Sequence, residues 1–260
     1  MMAKMDIKTA FYLSSISCEE LKREYYVDPL TGEKRTIYTY FGEIVPKVTL
    51  TGKLADRASA LSLILRDLES ARRWYAMALE LLPRDFFSVN DENNEDKTAY
   101  LLLEKDIADK VRPLMIASVT FYGKAFTTAE GRKIKAEKSW LSEEHVSVHD
   151  YIIDLRNNFA AHGGVGDYET AETVLLLLPK SKKNIIYFPT TIRGQINMFK
   201  SNMEDEDILN HFDYVISVLS QKYHALFPRL IEVAKSKSLL FWMSAAQGGV
   251  PIHLDSCKNK

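Results

Sequence analysis

Cysteine is nearly missing from this 260-residue chain: Cys18 and Cys257 are the two present, near opposite ends. Neither belongs to a CxxC pair, so neither a zinc site nor a disulfide framework is suggested, and two reduced structural thiols in a cytosolic protein are expected. Net charge is missing too. Thirty-four basic and 35 acidic side chains leave a formal charge of -1. A strong basic field, the usual footprint of a nucleic-acid binder, is therefore absent, although a local basic cleft is still allowed. No stretch of 18 apolar residues occurs, and residues 1–6 carry no apolar signal core. The expectation is a cytoplasmic protein without a standard export signal or a spanning helix. There is no internal repeat and no low-complexity tract.

What the chain does have is 46% hydrophobic residues. That suffices for one sizeable core, or one core plus an appendage. Residues 7–52 read as strands: 9–16, 24–27 and 35–41 are rich in aromatic and β-branched types. Between the last two, Asp28-Pro29-Leu30-Thr31-Gly32-Glu33 has turn chemistry, with proline to preset one φ and glycine to accept a positive one. Residues 1–52 are thus expected to form a β-hairpin extension.

From Lys53 the period changes. Leu54, Ala58, Leu61, Leu65, Leu68, Ala71, Tyr75, Ala78 and Leu82 recur every three or four residues, which predicts a long helix ended by Pro83. The polar stretch 88–97 reads as a loop. A second helical region covers 99–126, where Pro113 implies two helices or one kinked helix. A third starts at Ser142, a good N-cap followed by Glu143 and Glu144, and should stop near His162 because Gly163 and Gly164 follow. Residues 174–178 and 185–188 bracket a basic tip and predict a second hairpin, inserted at 173–189. A fourth helix is expected from Asp205 to Lys235, broken near Pro228, with 241–260 as a tail. The fold class is therefore mainly α: a bundle of four long helical segments (domain 53–240) with two β-hairpin additions.

Chemistry is concentrated in Arg156-Asn157-Asn158-Phe159-Ala160-Ala161-His162, followed by Gly163, Gly164 and Gly166. Arginine offers a permanently charged fork of donors for phosphate, and histidine exchanges protons near neutrality. Asparagine donates and accepts. Exposed glycine backbone lets a bulky polymer approach. Together these suit phosphodiester chemistry that needs no metal. On an ideal α-helix Arg156 and His162 stand about 120° apart, so they share a face only if the helix ends early, or border one cleft if a second copy packs alongside. The bland reading is that Arg156 pairs with a carboxylate, Asp154 or Glu69, while His162 caps a helix C-terminus.

Two other features compete. His145 and His149 are one turn apart with Asp150 next, a set that could hold a divalent ion, though the glutamate of HExxH is missing and no third ligand lies close in sequence. His149, seven residues before Arg156, could instead support the Arg156 cleft. The basic link with Arg132, Lys133 and Lys135 is either a solvated connector or an RNA contact. The same choice applies to Arg66, Arg72, Arg73, Lys180, Lys182 and Lys183.

His149-Asp150-x3-Asp154-Leu155-Arg156-Asn157-x4-His162 resembles the signature of the HEPN superfamily: arginine, a polar residue, then three to five residues to histidine. The helical layout extends the resemblance over about residues 53–235. Phe121-Tyr122-Gly123-Lys124-Ala125-Phe126 is also similar to some bacterial members. The resemblance implies a metal-independent endoribonuclease, of the kind found in toxin–antitoxin and antiphage systems, that needs no cofactor. It implies a homodimer with a composite active site, in which Arg156 and His162 are the catalytic pair and Asn157 the polar partner, supported by His149, Asp150 and Asn158. RNA is the implied substrate, and a cognate antitoxin or defence-system protein the implied further partner. A catalytically silent HEPN binding module and a metal-dependent phosphohydrolase using His145, His149 and Asp150 are the alternatives.

Overall fold

The structure is a computed structural model that describes residues 21–27, 32, 34–82, 105–128, 132, 134–161, 169–181, 184–195 and 205–257. The strand expected at 9–16, the loop at 88–97, the first residues of the second helix, Lys133, His162 and the glycines after it lie outside these.

The chain is mainly helical and divides into two compact units, residues 56–227 and residues 1–55 with 228–260. The smaller unit holds a three-stranded antiparallel sheet, β1 (Leu21–Val27), β2 (Lys34–Tyr40) and β3 (Glu43–Ile44). Gly32, between β1 and β2, has φ +69°, the positive value that its turn sequence calls for. A short parallel pair joins β4 (Leu50–Thr51) to β7 (Ile252–His253). The last segment is not the expected tail: residues 239–248 are a helix, capped by the Ser238 hydroxyl, which accepts from the Phe241 N–H. Its apolar run LLFWM carries no alternation from which a face could be read, and Gly248-Gly249 marks its end rather than a loop throughout.

The larger unit is built on four helical segments. We label them α1 (Lys53–Glu80), α2 (Lys105–Phe126), α3 (Glu143–Leu155) and α4 (Asp205–His224). The predicted α1 stripe is buried at Leu61, Leu65, Leu68, Ala71, Tyr75 and Ala78, with Ile64 added. α2 runs through Pro113 as a single helix, with the proline facing solvent. The expected break near Pro228 is present: the fourth helix ends at His224 and a new one, α5 (Phe227–Lys235), begins with Pro228 in its first turn, where a missing N–H costs nothing; the terminal helix Leu239–Gly248 is α6. Apolar side chains of the four long helices make the core, and Tyr122, Phe212, Ile152 and Leu68 are among its largest fully buried members.

Polar ties lock neighbouring helices. The Ser118 hydroxyl of α2 donates to the Ala71 carbonyl of α1 at 2.8 Å. Arg72 of α1 makes a two-pronged contact with Asp213 of α4, both bonds at 2.9 Å. Ser142 occupies the N-cap of α3 as expected, yet its hydroxyl caps nothing; its backbone N–H donates to the Tyr214 hydroxyl at 2.9 Å. β5 (Glu169–Ser181) and β6 (Asn184–Gln195) form the second hairpin, longer than the predicted 173–189.

Candidate active site

α3 presents the motif. The α-helical pattern ends at Leu155, and residues Arg156–Ala161 continue as a π-helical turn. Such turns are rare and recur at functional sites, because the wider i→i+5 winding swings side chains off the α-helical track. The 120° separation expected for an α-helix therefore does not apply beyond Arg156. The Arg156 N–H is shared between the carbonyls of Ile152 and Ile153, where one winding gives way to the other.

Arg156 lies across α2. A Cβ added at Gly123 would stand 3.0 Å from both Cγ and Cδ of Arg156 and 3.3 Å from its Nε. Gly123 is thus the flat platform on which the aliphatic stem rests. The guanidinium donates to the Asn157 side-chain oxygen at 2.9 Å, whereas its Nε is buried with no hydrogen-bond partner among the described residues. The bland reading required a carboxylate partner. Asp154 is occupied otherwise, accepting from Asn158 Nδ2 at 2.6 Å, and among the described residues no carboxylate pairs with Arg156. Asn157 and Asn158 are exposed. The histidine that completes the motif, His162, lies outside the described residues.

Beneath this, α2, α3 and α4 share a buried hydrogen-bonded chain that sequence reading recognised only in part. The Tyr122 hydroxyl sits 2.7 Å from His149 Nδ1 and 2.7 Å from His211 Nε2. His211 Nδ1 in turn lies 3.2 Å from His145 Nδ1, and the His145 ring stacks on Tyr214 at 3.8 Å. His211 is fully buried and His149 nearly so. One hydroxyl proton between two imidazoles allows two registers, with every donor pointing from His149 toward His145 or every donor reversed. Burial drives the His211 pKa down to about 3, helped by the neighbouring His145 and His149. Burial also lowers His149, against the pull of Asp150, and raises Tyr122, so all three are neutral at pH 7. His211 was missed because, in sequence, it stands within an amphipathic stripe where its neighbour Phe212 explains the periodicity.

The other candidates resolve differently. His145 and His149 are partners in this chain, and Asp150 is held by Lys138 at 2.6 and 2.7 Å. Among the described residues no group of three or more His, Cys, Asp or Glu side chains is arranged to hold a metal ion. Asp150 also reaches His149 through its charge, which works against the lowering by burial.

Arg132 is a correction. Expected on a basic link that is either a solvated connector or an RNA contact, it is 6% exposed, and its guanidinium lies 3.0 Å from buried Asp67, which also pairs with Lys124 at 3.0 Å. A carboxylate buried on α1 needs a cation, and that need withdraws Arg132 from solvent. Lys135 is half-buried.

No helix among the described residues is long and apolar enough to cross a membrane. No protein-family model matches the chain, and neither the curated proteins nor the solved structures searched give a match.

Proposed function

We propose that this chain is a metal-independent endoribonuclease of HEPN type, a toxin or antiphage defence effector, with Arg156 and His162 as catalytic residues. The observation that carries the reading is the state of Arg156. Its stem is seated on Gly123, its fork is oriented by Asn157, and among the described residues no carboxylate neutralises it. An arginine held in place yet unpaired is suited to an incoming phosphate, since a bidentate carboxylate would otherwise occupy the same donors. The π-helical turn at Arg156–Ala161 supports the same reading.

In this mechanism the His162 imidazole takes the proton from an RNA 2′-hydroxyl, and that oxygen attacks the adjacent phosphorus. Arg156 stabilises the added negative charge of the phosphorane. The bond to the leaving 5′-oxygen then breaks, and that oxygen takes a proton from the second copy's histidine or from water. The products carry a 2′,3′-cyclic phosphate and a 5′-hydroxyl. DNA, without the 2′-hydroxyl, is inert. A homodimer places two such sets beside one cleft.

The test is cleavage of total RNA and tRNA in EDTA by wild type, Arg156→Ala and His162→Ala. Cleavage by wild type alone, leaving cyclic phosphate ends, is the expected result. Equal cleavage by all three, or abolition by the chelator, overturns the assignment.

A further inference from the structure

The sheet of the smaller unit sorts its side chains by the pleat. Directly opposed residues, and alternate residues along a strand, project to the same side. Arg23 opposes Tyr38, Tyr25 opposes Thr36, Val27 opposes Lys34 and Leu21 opposes Tyr40, which puts three tyrosines, an arginine and a lysine on one face. Tyr25 is 72% exposed and Tyr40 39%. The Arg23 guanidinium lies over the Tyr25 ring, 4.6 Å from its centroid, and donates to the Tyr25 hydroxyl. The opposite face carries Lys22, Glu24, Ile37, Thr39 and Ile44, with no aromatic ring among the described side chains. At the end of β2, Tyr40 opposes Glu43, so Phe41 and Gly42 form a two-residue turn. Both have positive φ, +49° and +84°. Glycine or asparagine is usual in such a turn, and a bulky residue there is strained. Phe41 holds this conformation with its side chain exposed and its ring edge-on to Tyr40 at 4.5 Å. Strain that keeps an aromatic ring in water points to a use for that ring.

We propose that this face is a binding site for single-stranded nucleic acid, with bases stacked on Tyr25, Tyr40 and Phe41 and backbone phosphates met by Arg23 and Lys34. Three arguments select this ligand. The first is interleaving. Exposed rings and cations share one face, and a nucleotide presents the matching pair, a flat π surface and an anion. The Arg23 guanidinium plane is itself a surface on which a base can stack. The second is charge. Among the described residues Glu43 is the one acid on this face, against Arg23 and Lys34, and Lys47 lies at the edge of β2, donating to the Thr36 carbonyl at 2.7 Å. An apolar protein partner would bury those cations without a counter-charge. The third is strandedness. In a duplex the bases stack on one another and show only their edges, so the rings would have nothing to receive. The site lies wholly within the smaller unit and involves neither Arg156 nor cleavage, so it does not rest on the nuclease reading.

The experiment is fluorescence anisotropy of the full chain with a labelled oligo-deoxythymidine of about ten nucleotides, a single strand without the 2′-hydroxyl that the proposed cleavage requires. Binding is read by anisotropy and cleavage by product ends, so either proposal can fail alone. Saturable binding in the micromolar range is expected. Tyr25→Ala and Tyr40→Ala should each weaken it about tenfold, the loss of one stacked base, with an unchanged circular dichroism spectrum. Tyr25→Phe keeps the ring and should bind within about twofold of wild type. Ile44→Ala, on the opposite face, should bind as wild type does, and a duplex of the same length at least about tenfold more weakly. No saturable binding below about 100 μM overturns the proposal. So does a duplex bound equally well, or Tyr25→Phe as weak as Tyr25→Ala. Binding kept by Tyr25→Ala and lost by Arg156→Ala also overturns it, because that binding belongs to the cleavage site.

Discussion

Tyr122→Phe removes one oxygen from the middle of the larger unit and nothing else. The ring keeps its contacts, tilted on Phe126 at 5.0 Å and edge-on to Phe212 at 5.4 Å. Two imidazole nitrogens lose their partner: His149 Nδ1 and His211 Nε2, each 2.7 Å from the hydroxyl. In either register one is an N–H donor and the other a bare acceptor, so a donor and an acceptor are both orphaned in a site closed to water. Each unsatisfied buried group costs about 1–3 kcal/mol, giving a combined loss of about 2–6 kcal/mol. For a unit of this size that is a fall in Tm of about 4–24 °C. Urea unfolding should show a lower midpoint with unchanged slope, because the surface exposed on unfolding is the same. A loss below about 0.5 kcal/mol would refute the reasoning, since the hydroxyl could not then be bridging two dry imidazoles.

Acid should weaken the fold through His211. Its folded pKa of about 3 is below the ordinary 6.5, so below pH 6.5 the unfolded chain binds a proton that the folded one refuses. The contribution of this group is complete above about pH 6.5 and is lost as pH falls toward 3, at up to about 1.4 kcal/mol per pH unit. Urea midpoints at pH 7, 6 and 5 check this, and a His211→Asn variant should lose that part of the slope. Asp67→Asn strands the buried Arg132 guanidinium and should cost about 3–5 kcal/mol, with part recovered by adding Arg132→Met; equal stability in denaturant would show that the pair contributes nothing. Gly123→Ala should leave folding stability near wild type, since alanine is the better helix former by about 1 kcal/mol, while displacing Arg156 from its seat. A crystal structure of that variant with Arg156 unmoved would contradict the platform role. Single-turnover cleavage at least tenfold slower is the matching functional expectation.

Much of the architecture was legible because it follows from periodicity. The α1 stripe from Leu61 to Ala78, the start of α3 and the strand pattern of both hairpins depend on spacing within one segment. The terminal helix at 239–248 was not, since a run apolar on every side gives no period to detect. Arg132 looked like a surface cation because its partner, Asp67, is 65 residues away in sequence, and only packing decides whether a charge meets water or a carboxylate.

The candidate site divides the same way. Sequence by itself determined the order and spacing of Arg156, Asn157 and His162, which is a matter of covalent order. Tertiary structure decided that Arg156 crosses α2 over Gly123 instead of pairing with Asp154, and that His145 and His149 enter a chain with Tyr122 and His211 instead of forming a ligand pair. Those outcomes depend on which helices meet and how closely, and hydrogen bonds and burial between segments 27 to 89 residues apart leave no local pattern in the sequence.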